Sequence, residues 1–529
     1  MPSISTNNWD TAFGITFKDA NAAIIAQGSS PAGFTGKHAI VGGTVDVTAS
    51  FGPWQLSGGS DSLLQMTLPL RDGTVSGAGN DPADFTAIAV IQVSLGYIPQ
   101  PGTATSDLKL NTGTGVSVLS VTLTSGPDSA RDAVKGALQG WLGDNIEDFN
   151  HVFAAVDLNT QADTGEFAWL QPTHLGYALY TEGFDSVDDY LFGVLAMTEH
   201  RVGSRLSPEI SPHVIPSGSQ AGFLITAERI VEKMFLPNIT SLFKNASADN
   251  FDTLDAGTTV YNTVPLNLPD FTLSDGTLIT DAAINSAGFT LAIGAGTVTI
   301  SFNGMTFTFK EGYTVTVNYG SVSAMGTDEN GHLQLTPTGA PTVSVAVSES
   351  SSQTWKEIWE GIGISIAGAV IGAALGSLAE AALAAREAAA VAVAEGIDAA
   401  ENGGAIELDL IPVDQAFSPA DQVQNEVVAL RATVDSLEEA NAPMSFAGYF
   451  RANFLKVLGG VIGAAVGAAI SDIPSILTGY ADQDENQMPT LDDFAAKAIG
   501  TTTWADSSGY QLTSAALHGS LQFGLDKKA

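Results

Sequence analysis

The sequence predicts an α+β protein in which antiparallel strands with one apolar face pack against long apolar helices. Residues 1–352 contain several segments in which apolar and polar residues alternate, the pattern of strands with one buried face. After Ser352 the composition changes to Ala, Gly, Ile, Leu and Glu, which is typical of helices. Each kind of element has an apolar surface to cover, so we expect strands and helices to pack on each other.

The strands are predicted from this alternation. Val298, Ile300 and Phe302 alternate with polar residues, and Asn303-Gly304 predicts a hairpin turn before the alternation resumes. The run 85–98 is almost continuously apolar, which predicts a strand buried on both faces. Further strands are predicted at 116–123, 313–319 and 343–347, with a last sheet-like piece at 504–525.

The predicted helices are short in the first part of the chain and long in the second. Short helices are predicted at 19–27 and 129–146, and a third at 227–243 is expected to kink at Pro237, which has no N–H to donate. The segment 355–400 predicts one long helix, which requires an equally long partner surface.

These elements divide the chain into three regions. Residues 1–352 form a mainly antiparallel sheet with short helices. Residues 353–445 contain the long Ala/Gly-rich helix, a connector and an amphipathic helix that packs on the sheet. Residues 446–529 contain a second glycine-rich helix, an acidic loop-like segment from Ala481 and a closing strand.

Two glycine repeats predict close helix packing. The repeats are Gly368, Gly372 and Gly376 in the first helix, and Gly459, Gly463 and Gly467 in the second. Glycines four residues apart leave one helix face without side chains, so another backbone can approach it closely. The uncharged stretch 361–379 has about the length of a bilayer core, which leaves membrane insertion open as an alternative. Its acidic flanks and its many small residues favour packing inside the protein.

The chain is strongly acidic. Its 57 acidic and 20 basic residues give a formal net charge of −37, which repels nucleic acid and, on average, anionic membranes. We therefore expect no nucleic-acid partner, and membrane contact that is local and not constitutive. A quarter of the basic residues cluster in one stretch of sequence: Arg201, Arg205, Arg229, Lys233 and Lys244.

The sequence offers no catalytic or metal-binding signature. Cysteine is absent, and none of the seven histidines pairs with another at the spacing of a metal-binding helix. Ser217 and Ser219 lie in a turn without an identifiable base. Asp482 begins a segment similar to half of a calcium loop, but Gln487 stands where the sharp turn needs glycine. We predict a protein that is not an enzyme and has no metal and no cofactor.

The N-terminal residues carry no secretion signal. Residues 1–10 are polar and lack a basic segment followed by an apolar one. We expect synthesis in the cytoplasm without Sec export, with release by another route left open.

Three blocks of sequence resemble the OrfX-type proteins encoded beside some clostridial neurotoxins. The first runs from Asn8 to Phe13 and is followed by the helix 19–27. The second comprises 214–216, 222–225 and 232–237, and the third comprises Trp504 and 514–522. The resemblance implies a TULIP (tubular lipid-binding) architecture, an elongated fold in which a strongly curved antiparallel sheet wraps around long helices and leaves an apolar groove. Some members of the family are reported to bind phosphoinositides, and others accompany toxins.

The leading hypothesis is therefore a non-enzymatic TULIP-type protein that binds a lipid or another apolar ligand, as an accessory or component of a bacterial toxin system. The candidate lipid contacts are Ile230, Met234, Phe235 and Leu242, with Arg229 and Lys233 near a headgroup. Two alternatives stay open. The two glycine-rich helices could insert into a membrane as part of a pore-forming toxin component, or the chain could be a scaffold that binds a toxin or another partner protein.

Overall fold

The structure is a computed structural model that describes residues 4–349 and 491–528 apart from short gaps. The gaps are at 42, 61, 159–166, 204–205, 241–242, 245, 269–270, 273–277, 295, 309–312, 328–332, 339–341 and 506. Both glycine repeats, the long helix predicted at 355–400 and the region boundaries at 352 and 445 lie outside the described residues. Those expectations stay predictions.

The described residues fall into two compact units. We call the described parts of 2–226, 492–516 and 520–529 the terminal unit, because they come from both ends of the chain, and the described parts of 227–491 and 517–519 the middle unit. The helices are α1 (Phe17–Gln27), α2 (Ala130–Asn145), α3 (Ala227–Ile230), α4 (Leu236–Thr240) and α5 (Leu491–Gly500).

Antiparallel strands dominate both units. The first twelve strands are β1 (Thr11–Thr16), β2 (Gly33–Ile40), β3 (Gly43–Phe51), β4 (Gln55–Ser60), β5 (Leu63–Gly77), β6 (Asn80–Pro99), β7 (Thr105–Leu110), β8 (Ser117–Ser125), β9 (Ala154–Asp157), β10 (Pro172–Tyr180), β11 (Leu191–Thr198) and β12 (Ala221–Thr226). The next eleven are β13 (Phe251–Leu254), β14 (Thr259–Asn262), β15 (Leu266–Asn267), β16 (Phe271–Thr272), β17 (Leu278–Ile279), β18 (Ala283–Ile284), β19 (Phe289–Ile293), β20 (Thr297–Thr308), β21 (Tyr313–Thr327), β22 (Leu333–Pro337) and β23 (Thr342–Glu349). The last three are β24 (Thr502–Trp504), β25 (Tyr510–Leu517) and β26 (Ser520–Lys527).

The terminal unit contains two sheets. One has six strands in the order β10-β11-β1-β12-β26-β25. The other has nine strands, with β2-β3-β5-β6-β7-β9-β24 in order, β4 beside β5 and β8 beside β6. The C-terminal strand β26 lies next to β12, so the six-stranded sheet joins segments that are about 300 residues apart in sequence.

A row of four glycines crosses the six-stranded sheet. Gly193, Gly14, Gly222 and Gly524 are directly paired across four neighbouring strands. The segment 210–219 lies over this row: a β-carbon on Gly222 would be 1.9 Å from the Val214 carbonyl oxygen. The missing side chains thus form a track on which another stretch of backbone can lie.

The opposite face of the same sheet is aromatic. Phe13, Phe223 and Phe523 are directly paired on three adjacent strands. Phe13 also packs edge-on against Trp504 at 5.6 Å between ring centroids. Alternation along each strand therefore places a glycine on one face and a phenylalanine on the other.

The nine-stranded sheet is closed by helix α2. This helix packs on both β2 and β8, which are edge strands on opposite sides of the sheet. On the β8 side, the Gln139 amide accepts from the Val118 backbone N–H at 2.7 Å and donates to the Val116 carbonyl at 2.8 Å. On the β2 side, Gly36 lies so close to α2 that a β-carbon there would be 2.7 Å from the Ala137 carbonyl oxygen. The helix thus satisfies backbone groups that an edge strand would leave open.

Helix α1 protects the edge of β4 in the same way. The buried Asn21 amide accepts from the Leu56 N–H at 2.6 Å and donates to the Leu56 carbonyl at 3.1 Å. One side chain thereby replaces a neighbouring strand at this position.

Substitution of Asn21 by alanine is expected to destabilise the terminal unit by about 1–3 kcal/mol, because it leaves a buried backbone N–H and a carbonyl without partners. Urea unfolding followed by circular dichroism measures the change. Lys18→Ala, at an exposed position on the same helix, is the control and should leave stability nearly unchanged. Equal midpoints for the two variants would contradict the assigned role of Asn21.

The middle unit is built on a nine-stranded antiparallel sheet. Its longest strands, β20 and β21, pair along their length, and β22 and β23 both pair with β21. Phe243, Phe251, Phe289 and Phe302 pack together as its aromatic core. The unit also contains a separate two-stranded ribbon, β16-β17.

Several local predictions need correction. Asn303-Gly304 is no hairpin turn, because β20 continues through it with a register shift between Phe302 and Met305. Gly304 has a φ of +67°, so the pair makes a bulge in a continuous strand. The run 85–98 lies in β6 as predicted but is buried on one face only, since Ile88 is 41% exposed.

Two further corrections concern helices. The acidic segment expected to be a loop contains α5, whose Phe494 and Ala498 are buried. The irregularity expected at Pro237 begins earlier, in a π-helical segment at Val231–Phe235. Since Pro237 has no N–H for the Lys233 carbonyl, the preceding turn widens, and the Leu236 N–H donates to Val231 instead.

Candidate functional site

An open depression in the terminal unit is a candidate binding site. Its volume is about 570 Å³, within the usual range for small-molecule sites. The residues that line it are Gln27, Val152, Ala155, Thr503, Trp504, Ala505, Ser507 and Ser508. They come from the end of α1, the start of β9, and β24 with the loop after it.

Sheet pairing holds the floor of the depression. Thr503 on β24 is directly opposite Ala155 on β9, and the Ala505 N–H donates to the Phe153 carbonyl at 2.9 Å. Gln27 is placed at the rim because α1 ends at Gly28, whose φ of +57° turns the chain away from the helix. The remaining wall is a serine turn, in which the Ser507 hydroxyl accepts from the Gly509 N–H at 3.1 Å.

The described residues that line the depression are aliphatic, aromatic or neutral polar. Val152, Ala155 and Ala505 supply aliphatic surface, while Gln27 and Thr503 supply an amide and a hydroxyl. None of the lining side chains that the structure describes is ionisable. In a chain of net charge −37, such a surface suits a neutral or apolar ligand better than a charged one.

Trp504 connects the depression with the aromatic core. It is 2% exposed and packs against Phe13 and Phe192 at 5.6 and 5.5 Å between ring centroids. Its indole N–H is buried and has no hydrogen-bond partner within the described part of the chain. The aromatic packing therefore fixes the strand that forms the floor.

A buried serine–histidine pair lies beside this region. The Ser29 hydroxyl and His151 Nδ1 are 2.9 Å apart, His151 is fully buried, and its Nε2 has no hydrogen-bond partner among the residues that the structure describes. Burial lowers the pKa of His151 to about 4, so the ring is neutral at pH 7. A nucleophilic dyad needs an orienting carboxylate and access for a substrate. The described residues supply no such carboxylate, and the pair is buried, so we interpret it as a contact within the core.

The residues predicted to contact lipid lie in the middle unit. Ile230, Met234 and Phe235 are all at least 96% buried on α3 and the π-helical segment. Lipid contact by these side chains would require the helix to leave its core. Leu242 and all six zipper glycines lie outside the described residues. The contact remains a prediction for each of these positions.

The two basic residues predicted near a headgroup are held by one carboxylate. Arg229 is fully buried and its guanidinium is 2.7 Å from Glu232, and the Lys233 ammonium is 3.5 Å from the same carboxylate. In the terminal unit, Arg201 is likewise paired with Asp10 at 2.5 Å. Part of the basic cluster therefore forms ion pairs within the protein. The spacing of these residues in the sequence could not predict that pairing.

The described residues contain no group of three or more His, Asp or Glu side chains arranged to hold a metal ion. Within the same part of the chain, each helix is too short or too polar to cross a membrane.

The fold and the sequence both have counterparts among clostridial proteins. A family model for the OrfX-like proteins, described as Protein OrfX2/OrfX3/P47, matches residues 6–401. Protein OrfX3 of Paraclostridium bifermentans is 29% identical over 286 residues, which cover 48% of this chain and 57% of the relative. Protein P47 of Clostridium botulinum is 23% identical over 205 residues, 37% of this chain and 45% of the relative. The matched region thus spans about half of the length of these relatives, 57% of OrfX3 and 45% of P47.

Solved structures of clostridial proteins are similar to this chain in fold. P47 from Clostridium botulinum A2 has a TM-score of 0.50 and 17% identity, covering 66% of this chain and 84% of that one. P47 of Clostridium botulinum E1 has a TM-score of 0.56 and 13% identity, covering 99% and 100%. The β-rich fold is therefore one already seen in P47. The chain belongs to the OrfX-like family, as the resemblance of its sequence blocks predicted.

Proposed function

We propose that this protein binds a lipid or another apolar ligand without transforming it, in the manner of TULIP proteins, as an accessory or component of a bacterial toxin system. The observation that carries the proposal is the depression beside Trp504, whose described lining residues are all uncharged. They combine aliphatic surface with neutral hydrogen-bonding groups, and the volume suits a small molecule or part of a lipid.

The architecture around the depression supports the proposal. The terminal unit contains two antiparallel sheets, one of them packed against α2, and a sheet packed on a helix is one element of the TULIP arrangement. Burying one large aliphatic group contributes about 1.5–3 kcal/mol, so an acyl chain that covers the floor could bind without an ion pair. This suits a chain whose net charge of −37 disfavours broad contact with anionic lipids.

Filling the depression tests the proposal. Thr503→Trp places a large ring over the floor and is expected to weaken the binding of a fluorescent diacylglycerol, presented in phosphatidylcholine vesicles, by at least about tenfold. Thr122→Trp, the same substitution at an exposed position on β8, is the matched control and should bind like the unmodified protein.

Native mass spectrometry of the purified protein provides the independent measurement. A lipid-sized mass adduct is expected, and Thr503→Trp should reduce it while Thr122→Trp does not. A protein that carries no adduct and leaves the diacylglycerol in the vesicles would refute the proposal. An adduct of equal size in both variants would place the ligand elsewhere.

A further inference from the structure

The polar side chains that line the depression fall into two groups. Those of Ser507 and Ser508 are engaged within the protein: Ser507 accepts from a backbone N–H of its own turn at 3.1 Å, and Ser508 donates to a backbone carbonyl just after β26 at 3.1 Å. The side chains of Gln27 and Thr503 are exposed and form no hydrogen bond within the described part of the chain. These two side chains are therefore available to a ligand in the depression.

Both available side chains are neutral groups that donate and accept. The Gln27 amide offers two donors and an acceptor, and the Thr503 hydroxyl offers one donor and an acceptor. They line the same depression of about 570 Å³, which is small enough for one ligand to contact both. Hydroxyl and ester groups match them, because such groups form hydrogen bonds without carrying charge.

Gln27 and Thr503 stand on rigid elements. Gln27 is the last residue of α1, and the helix end is fixed by the Gly28 N–H, which donates to carbonyls of the last turn. Thr503 is held by the pairing of β24 with β9, where it lies directly opposite Ala155. Side chains on fixed backbone can distinguish one ligand from another, because little reorganisation is needed when the ligand binds.

The charged residues near the depression do not favour an anionic ligand. Asp107 on β7 is directly opposite Ala155, and Asp157 lies two residues further along β9 on the same face. Lys528 adjoins Ser508 through its backbone carbonyl, but it is exposed, so water weakens its attraction for an anion. An uncharged polar group is thus the better match for the lining.

We propose that Gln27 and Thr503 make the depression specific for a neutral lipid whose polar end carries hydroxyl and ester groups, such as a monoacylglycerol. Its acyl chain covers the aliphatic surface of Val152, Ala155 and Ala505, and its polar end forms hydrogen bonds with Gln27 and Thr503. The inference rests on the proposed function and adds to it the chemical class of the ligand and the residues that select it.

Three competitors with the same chain length test the ligand class. 1-Oleoylglycerol, oleate and octadecene are each added, in phosphatidylcholine vesicles, to the protein loaded with the fluorescent diacylglycerol, at a pH where oleate is ionised. The two hydrogen bonds are expected to make 1-oleoylglycerol displace the probe at about one tenth of the concentration that octadecene requires. Oleate is expected to be no better than octadecene, because its carboxylate meets no cation in the lining.

A double variant tests the two selecting residues. Gln27→Leu with Thr503→Val keeps the side chains close to their original size and removes only their hydrogen-bonding groups. The advantage of 1-oleoylglycerol over octadecene is expected to fall from about tenfold to about one. A change that only perturbed the fold would weaken both competitors alike and leave this ratio unchanged. The matched control is Gln511→Leu with Thr122→Val, the same substitutions at exposed positions outside the depression, which should keep the ratio.

The outcomes separate this inference from the proposed function. Equal displacement by 1-oleoylglycerol and octadecene, or a ratio that survives the double substitution, would overturn the specificity while lipid binding stands. Oleate as the strongest competitor would also overturn it, since the site would then select an anion. A protein that binds neither the probe nor any competitor would refute the proposed function and this inference together. A thermal melt by circular dichroism verifies that both double variants fold.

Discussion

Replacing Gly222 by alanine is expected to destabilise the terminal unit by at least about 3 kcal/mol, or to prevent its folding. A β-carbon at this position would lie 1.9 Å from the Val214 carbonyl oxygen and 2.6 Å from its carbonyl carbon. These are backbone atoms, so no side-chain rotation can relieve the overlap. The segment 210–219 would have to lift from the glycine row, which would also strain the hydrogen bonds from the Gln522 amide to the His213 and Val214 carbonyls.

Alanine substitutions at two other glycines are expected to have smaller effects and serve as the comparison. At Gly14 a β-carbon would meet the Val214 side chain at 2.6 Å, and because a side chain can move, Gly14→Ala should cost less than Gly222→Ala. At Gly140, on the exposed side of α2, a β-carbon would meet nothing within 4 Å. Gly140→Ala should stabilise by about 0.5–1 kcal/mol through helix propensity. Urea denaturation measures all three, and a different order of stabilities would show that the glycine row is not a close-packed track.

Acidification from pH 7 to pH 4 is expected to destabilise the terminal unit through His151. Burial lowers the pKa of the folded-state imidazole from 6.5 to about 4, so the folded protein resists a proton that the unfolded chain accepts. Stability is therefore fully present above pH 6.5 and is lost as the pH falls toward 4. A difference of 2.5 pKa units corresponds to about 3 kcal/mol.

The environment of the His151 ring explains why its pKa is lowered and not raised. His151 packs between Phe149 and Phe153, and no carboxylate is among its contacts in the described part of the chain. When protonated, the ring could donate from Nδ1 to the Ser29 hydroxyl, but its Nε2–H would find no acceptor among the described residues. None of these neighbours therefore offsets the cost of burying the charge.

The variant His151→Gln isolates this contribution. Carboxylate titration elsewhere affects both proteins equally, so the difference between their free energies of unfolding should change by about 3 kcal/mol between pH 7 and pH 4. Chemical denaturation at half-unit pH intervals measures it. If the two proteins lose stability in parallel, the histidine does not control the acid response.

Much of the local structure could be predicted, because it depends on local pattern. The alternation at Val298, Ile300 and Phe302 predicted the strand β20, and the apolar periodicity of 129–146 predicted α2. The pattern failed where a local motif has two meanings. Asn303-Gly304 suits a hairpin turn and a bulge equally, and only the register of β20 on β21 decides between them. By contrast, α5 was predicted to be a loop although Phe494 and Ala498 have the apolar spacing of a helix.

The features with the largest expected effects depend on contacts between distant residues. The four glycines of the row stand next to Phe13, Phe192, Phe223 and Phe523 in sequence. Each Phe-Gly or Gly-Phe pair is unremarkable alone, and its role requires the strand register that aligns it with the others. Trp504 was singled out by family resemblance, but the other residues of the depression carry no chemical signature and meet only after folding.

Because the terminal unit takes strands from both ends of the chain, its assembly is tied to the timing of translation. Strands β1 and β12 emerge from the ribosome early, but β26, which pairs with β12, is made about 300 residues later. At about 5–20 residues per second, the nascent chain would hold the β12 edge without its partner for roughly 15–60 seconds. During this interval the edge of β12 that later receives β26 has unpaired backbone N–H and C=O groups, so the half-built sheet is open to pairing with other strands.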